Sequence, residues 1–218
     1  MKDIQAKVKY YTPFEIIGFA ARTCTDTREK APDAQDARLV QMLVDKGHHS
    51  VLEHAVFTFE LSGFSRAVLQ ELARHRIASY SVKSTRYTLN RLKDEPGFRT
   101  TADVPRAIKY LVFQNQEEPT LVDISSMFSL HRTKALIDAG YKPDEVKPTL
   151  PEGFRTEAVV TINLRSLMNL LHLRTTPQAF KEFRVLAYRM YEALPDEYKP
   201  LCDQVVSDIV EEEANSVR

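Results

Sequence analysis

Two stretches of this chain concentrate side chains that bind anions. Between Leu72 and Lys93 there are six Lys or Arg residues (Arg74, Arg76, Lys83, Arg86, Arg91 and Lys93), one histidine (His75), and no Asp or Glu. Ser79, Ser81, Ser84, Thr85 and Thr88 add hydroxyls, and Tyr80 and Tyr87 add aromatic surface. Guanidinium forks grip phosphate oxygens in pairs and hydroxyls complete the shell, so this mixture suits a phosphate ester. Composition alone leaves a solvated basic loop equally open. The second stretch, 158–181, is also free of acids. Within it Arg165, Asn169 and His172 recur at i, i+4 and i+7 and share one helical face. Taken as a pair, the stretches are economical as two walls of one anion site; taken singly, the second is a solvated polar face.

Other chemistries lack their residues. The six glycines form neither G-x-G-x-x-G nor a P-loop, so a bound nucleotide is not held by a glycine-rich turn. No G-x-S-x-G elbow surrounds a serine. Neither cysteine, Cys24 nor Cys202, has an adjacent His or Arg to lower its pKa. Three histidines, His48, His49 and His54, fall within seven residues. Their spacing matches no common metal motif and no second cluster supports them, so the expectation is no metal.

The elements that must position these residues follow from periodicity. Alternation over 7–11 predicts a strand, and Thr12-Pro13 an N-cap and first helical residue for a helix through about Ala21. The stretch 29–37 reads as a polar loop. Leu39, Val40, Leu43 and Val44 predict a helix stopped by Gly47. Ser50 with Glu53 three residues on predicts a capping box on a short helix. A strand over 55–61 is broken at Ser62-Gly63, and Ser65 caps a helix bearing Ala67, Val68 and Leu72 inward. The basic stretch leaves that helix at its C-terminus, where cations are favoured. Residues 94–120 read as irregular, helical over 107–113. A helix is predicted over 121–139 with Gly140 as its stop, then a proline-punctuated link over 143–151. A strand over 157–163 feeds a helix over 164–174 with Leu164, Leu167, Met168 and Leu171 on one face. A last helix covers 177–194.

At 218 residues, 43% hydrophobic and 28% charged, the chain fits one domain spanning 1–218, with 210–218 as a frayed acidic tail. Lys plus Arg balance Asp plus Glu at 30 each, which argues against a general nucleic-acid binder. No apolar run approaches the roughly 20 residues that span a bilayer, and the first residues lack a signal-peptide core. Two distant cysteines fit a reducing compartment, so a cytoplasmic protein without membrane or nucleic-acid partners is expected.

Arg74-His75-Arg76, seven residues, Ser84 and then Arg86-Tyr87 resembles the signature of the flavin-dependent thymidylate synthases. The segment 48–54 with its following strand, Leu150-Pro151, and Asn163 to Asn169 leading to Arg174 also resemble family segments in order and spacing. The resemblance spans roughly residues 7–195. It implies an α/β (α+β) fold, a central, mostly antiparallel sheet flanked by helices, assembled as a homotetramer with sites shared between subunits. It implies reductive methylation of dUMP to dTMP, with 5,10-methylenetetrahydrofolate as carbon donor, FAD as hydride relay and NADPH as reductant. By position, Ser50, Glu53, Arg74, His75, Arg76, Val82, Asn163, Arg165 and Asn169 would contact FAD. Glu71, Arg74, Val82, Lys83, Ser84, Thr85, Arg86, Lys147 and Arg174 would serve dUMP, with Ser84 and Arg86 reaching in from a neighbouring subunit. Arg174 would be catalytic at the uracil edge. The chain departs from the family where Ser81-Val82 replaces Asn-Glu, Glu71 stands for glutamine and Lys147 for arginine. Thr175-Thr176-Pro177-Gln178 also replaces a more acidic, histidine-bearing run. These changes are expected to alter affinity and not the reaction. Two rivals use the same residues: a non-catalytic phosphate- or RNA-binding module, and a hydrolase with Ser84 as nucleophile.

Overall fold

The computed structural model describes residues 1, 3–27 and 35–207. In chain order the elements are β1 (Gln5–Tyr11), α1 (Phe14–Cys24), α2 (Gln35–Asp45), β2 (Val56–Ser65), α3 (Arg66–Leu72), β3 (Ala78–Val82) and α4 (Thr85–Asn90). They continue with α5 (Val104–Ala107), α6 (Leu121–Asp138), α7 (Pro143–Val146), β4 (Arg155–Asn163), α8 (Leu164–Arg174), α9 (Lys181–Glu192) and α10 (Lys199–Asp203). The strands form one antiparallel sheet in the order β1-β2-β4-β3.

Alternation along the two central strands sets the buried face. Phe57, Phe59 and Leu61 of β2 are fully buried and lie opposite Ile162, Val160 and Ala158 of β4. Their neighbours Thr58, Glu60, Val159 and Thr161 face the other way, as the two-residue period requires. Against the buried face pack Ile17 and Ala21 of α1, Leu167 and Leu171 of α8, and Phe183 and Leu186 of α9. Each of the leucine, isoleucine and phenylalanine side chains contributes about 1.5–3 kcal/mol on burial. A second cluster, including Leu92, Phe98, Phe113, Met127 and Phe154, lies under the segment from α4 to β4.

Several expectations are corrected. β2 does not stop at Ser62-Gly63 but runs on to Ser65 through a bulge between Ser62 and Phe64. Gly63 has φ +78°, and a Cβ there would meet the Asp3 carbonyl oxygen at 2.2 Å, so only glycine fits. Thr12 does not cap α1. Its hydroxyl accepts from the Val56 amide at 3.0 Å, extending the β1–β2 pairing by one residue. Ser50 lies inside a 3-10 segment (His49–His54) preceded by His48, which makes no side-chain cap. α5 falls earlier than the helix expected over 107–113, and α9 starts at Lys181 because Phe180 precedes it in an extended conformation. Of the loop expected over 29–37, residues 29–34 lie outside the described residues and 35–37 belong to α2; the tail 210–218 also lies outside. The main correction is within the basic stretch, which holds the edge strand β3 and the helix α4 and is not a loop. Ser65, by contrast, caps α3 as expected, accepting from the Val68 amide at 3.3 Å. Among the described residues no helix is long and apolar enough to cross a membrane.

Candidate functional site

The site begins where α3 ends. Arg74 and His75 continue the last turn, their amides donating to the carbonyls of Glu71 and Leu72. Tyr80, two residues into β3, reaches back beneath this turn, its hydroxyl 2.9 Å from the Leu72 carbonyl and 2.7 Å from that of His75. The turn between helix and edge strand is thereby fixed with His75 tucked inward and Arg74 and Arg76 exposed. Among the described residues neither arginine side chain has an acidic or hydrogen-bonding partner. Both guanidiniums line the groove and leave their donors available to an anion there.

The opposite wall comes from the β4–α8 junction. Asn163 ends β4 and caps α8, its side-chain oxygen accepting from the Ser166 amide at 2.9 Å. That fixes the helix phase, so Arg165, Asn169 and His172 line the same groove as Arg74, His75 and Arg76. The 3-10 segment supplies a third side, where Glu53 pairs with Arg165 at 2.5 Å. The groove has a volume of about 790 Å³, and Leu52, Ile77, Met168, Leu173 and Val205 give it apolar surface. Cations and apolar side chains lining one groove suit a flat aromatic ring carrying phosphates.

At one end stands Arg174, the last residue of α8. Its Nη1 donates to Glu71 Oε2 at 2.6 Å and its Nε to His75 Nε2 at 3.1 Å, while its guanidinium lies 4.9 Å from the centre of the Phe183 ring. His75 also meets Phe183 edge-on, at 6.1 Å between ring centres. Burial, followed by the cations Arg174 and Arg74, lowers the His75 pKa to about 4. His75 is therefore neutral, and because Nε2 accepts, its proton sits on Nδ1.

Of the residues singled out from sequence, Glu53, Arg74, His75, Arg76, Asn163, Arg165, Asn169 and Arg174 meet in this groove. Ser50 is exposed in the 3-10 segment and Glu71 pairs with Arg174; neither is among the groove-lining residues. A second group gathers elsewhere on the same chain. Lys83 pairs with Glu157 at 2.6 Å and Arg86 with Asp144 at 2.8 Å. α4, which carries Thr85 and Arg86 and follows Ser84, packs on α7, and Lys147 begins the 3-10 turn after α7. Val82 ends β3 just before them. Sequence reasoning missed His49, Ile77, Ser166 and Leu173 as lining residues, and Phe183 as the platform under Arg174. Ile77, 71% exposed in the structure, was within reach, because it is the apolar residue directly after Arg74-His75-Arg76. Among the described residues no group of His, Cys, Asp or Glu could hold a metal ion. The Ser84 hydroxyl meets no histidine or acid there either, which leaves the hydrolase alternative without a base. The RNA-binding alternative likewise draws no support.

Comparison with known proteins points the same way. The family model described as thymidylate synthase complementing protein, Thy1, matches residues 7–198. A flavin-dependent thymidylate synthase of Wolinella succinogenes is 43% identical over 194 residues, covering 88% of this chain and 93% of that protein. One from Campylobacter jejuni is 41% identical over 199 residues, covering 90% and 94%. The crystal structure of thymidylate synthase X from Helicobacter pylori with FAD and dUMP superposes with a TM-score of 0.87 at 37% identity, over 94% of this chain and 100% of that one. A groove lined by cations and apolar side chains, on a fold shared with flavin- and dUMP-bound relatives, leaves one conclusion: the chain belongs to the Thy1 family, the flavin-dependent thymidylate synthases.

Proposed function

We propose that the groove binds FAD and dUMP together and that the enzyme methylates C5 of dUMP, taking the carbon from 5,10-methylenetetrahydrofolate and the electrons from NADPH. The observation that carries this is Arg174, held on three sides at the end of a groove in which Arg74 and Arg76 have no partner among the described residues. The residues fit the flavin. Arg74, Arg76 and Arg165 offer cations to its phosphates, Asn163 and Asn169 offer amide donors, and Ile77 and Leu173 offer apolar surface to its rings. Bound there, FAD supplies the hydride that completes the methyl group.

The chain's own contribution is electrostatic. Forming a bond at C5 pushes negative charge onto the pyrimidine oxygens. Arg174 is permanently protonated, so it stabilises that charge and cannot serve as a base. A preorganised donor of this kind lowers the barrier by about 3–4 kcal/mol. Neutral His75 keeps Arg174 in place without adding a second charge. Cys202 is buried with its pKa pushed up to about 12, in keeping with a reaction that uses no enzyme thiolate.

The second group, Val82, Lys83, Ser84, Thr85, Arg86 and Lys147, is absent from the groove lining. In our reading it serves the dUMP of a neighbouring subunit within a homotetramer. Two features support this: its cations are held only by surface acids, and exposed pairs are worth about 0–1 kcal/mol, so a phosphate displaces them cheaply. We read the enzyme as cytoplasmic, acting on free nucleotide.

The test is the visible absorption spectrum of purified protein, followed by assay of dTMP formation from dUMP, methylenetetrahydrofolate and NADPH. A flavin band and dTMP are expected. Protein that is colourless, takes up no added FAD and forms no dTMP would overturn the proposal.

A further inference from the structure

We propose that Phe183 is a positioning residue for the uracil end of the groove: its ring holds the Arg174 guanidinium in place, and it acts only through Arg174. This rests on the reaction proposed above, in which Arg174 is the catalytic cation. The Phe183 side chain is fully buried and is not among the groove-lining residues, whereas Arg174 and His75 both line the groove. The Arg174 guanidinium carbon lies over the Phe183 ring, 4.9 Å from its centre, where the negative face of an aromatic ring attracts a cation. His75, which accepts from Arg174 Nε at 3.1 Å, meets the same ring at 87° with 6.1 Å between ring centres. One buried ring thus contacts both the catalytic cation and the neutral side chain that accepts from it.

The ring is itself held from two directions. Glu182, its neighbour at the start of α9, is buried and takes hydrogen bonds from the Ser65 amide at 2.6 Å and the Ser65 hydroxyl at 2.9 Å. Arg184 ties the connection from α8, its Nη1 donating to the carbonyls of Pro177 and Ala179 at 2.7 Å and 2.5 Å. The first turn of α9 is thereby fastened to the start of α3 and to the chain leaving α8. An aromatic face attracts a guanidinium without adding a net charge, so Arg174 stays available to charge that develops on the pyrimidine oxygens. The attraction strengthens as the pair loses water, and the Arg174 side chain is only 15% exposed.

Graded fluorination of the ring tests this, because fluorine drains the negative face and barely changes the shape. Flavin-loaded protein with mono-, di- or trifluorinated phenylalanine in place of Phe183 should show kcat falling stepwise, about 3- to 10-fold in all. KM for dUMP and the melting temperature should stay nearly constant. Phe183→Leu, which keeps an apolar side chain but has no aromatic face, should lose about 5- to 30-fold in kcat. In an Arg174→Ala background the trifluorinated ring should lower the residual turnover less than about twofold further, since its target is gone. Turnover independent of fluorine count, a loss confined to KM, or an equal loss in the Arg174→Ala background would each overturn the assignment. The fluorinated rings keep the core filled, so the test stands even where leucine unfolds the chain. Failure of the wild-type protein to form dTMP would instead refute the proposed reaction, so the two failures are distinguishable.

Discussion

Arg174 and His75 show how a few atoms set the chemistry of the groove. His75 is 8% exposed, and burial with two neighbouring cations holds its pKa at about 4, against 6.5 for a solvated imidazole. Between those values the unfolded chain binds a proton that the folded chain does not, so stability rises with pH through that window. It should fall by about 2–3 kcal/mol as pH drops from 6.5 towards 4 and then level off. Denaturant melts at pH 4.5 and pH 7 check this: the wild-type difference should exceed that of His75→Gln, and equal differences would refute the assignment. At this scale the sequence was partly legible. Arg74, Arg76, Arg165 and Asn169 stand out because acids are missing around them and because helical spacing groups the last two. The Glu71–Arg174 and Arg174–Phe183 contacts were not legible, since they join separate elements and no local spacing encodes them.

The elements matter through the places where they end. α3 and α8 end at the groove and β3 begins beside it, and side chains tie these elements down: Ser65 at the start of α3, Tyr80 of β3 beneath the last turn of α3, Asn163 at the start of α8. Ser65 has the heaviest duty, capping α3 while giving Glu182 two hydrogen bonds. Ser65→Ala should cost about 1–2 kcal/mol for the lost cap, and somewhat more because buried Glu182 loses its hydroxyl donor. Thermal denaturation monitored by circular dichroism measures it; an unchanged melting temperature would contradict the role. Periodicity revealed β1, β4, α6 and α8 within a few residues of their ends. It failed for β3, because an edge strand with only Ala78 and Tyr80 half-buried has little hydrophobic alternation to show. It also failed at Thr12 and Ser50, where sheet pairing and a 3-10 turn overrode local capping preference.

At the scale of the whole molecule, the sheet brings two acid-free segments almost ninety residues apart in sequence to one groove and leaves the rest of the signature on another surface. The two hydrophobic clusters match this division. The larger one supports the groove, and the smaller lies under the segment that presents Ser84, Arg86 and Lys147. One measurement bears most directly on the claim that this groove is where the pyrimidine is activated. It is the release of tritium from dUMP labelled at C5, comparing wild-type protein with Arg174→Ala while the flavin spectrum is recorded for both. Wild-type protein should release tritium when supplied with methylenetetrahydrofolate and NADPH. Arg174→Ala should keep its flavin band and lose about 100- to 1,000-fold of the release rate. Wild-type release from the variant would show that the charge on the pyrimidine is stabilised elsewhere.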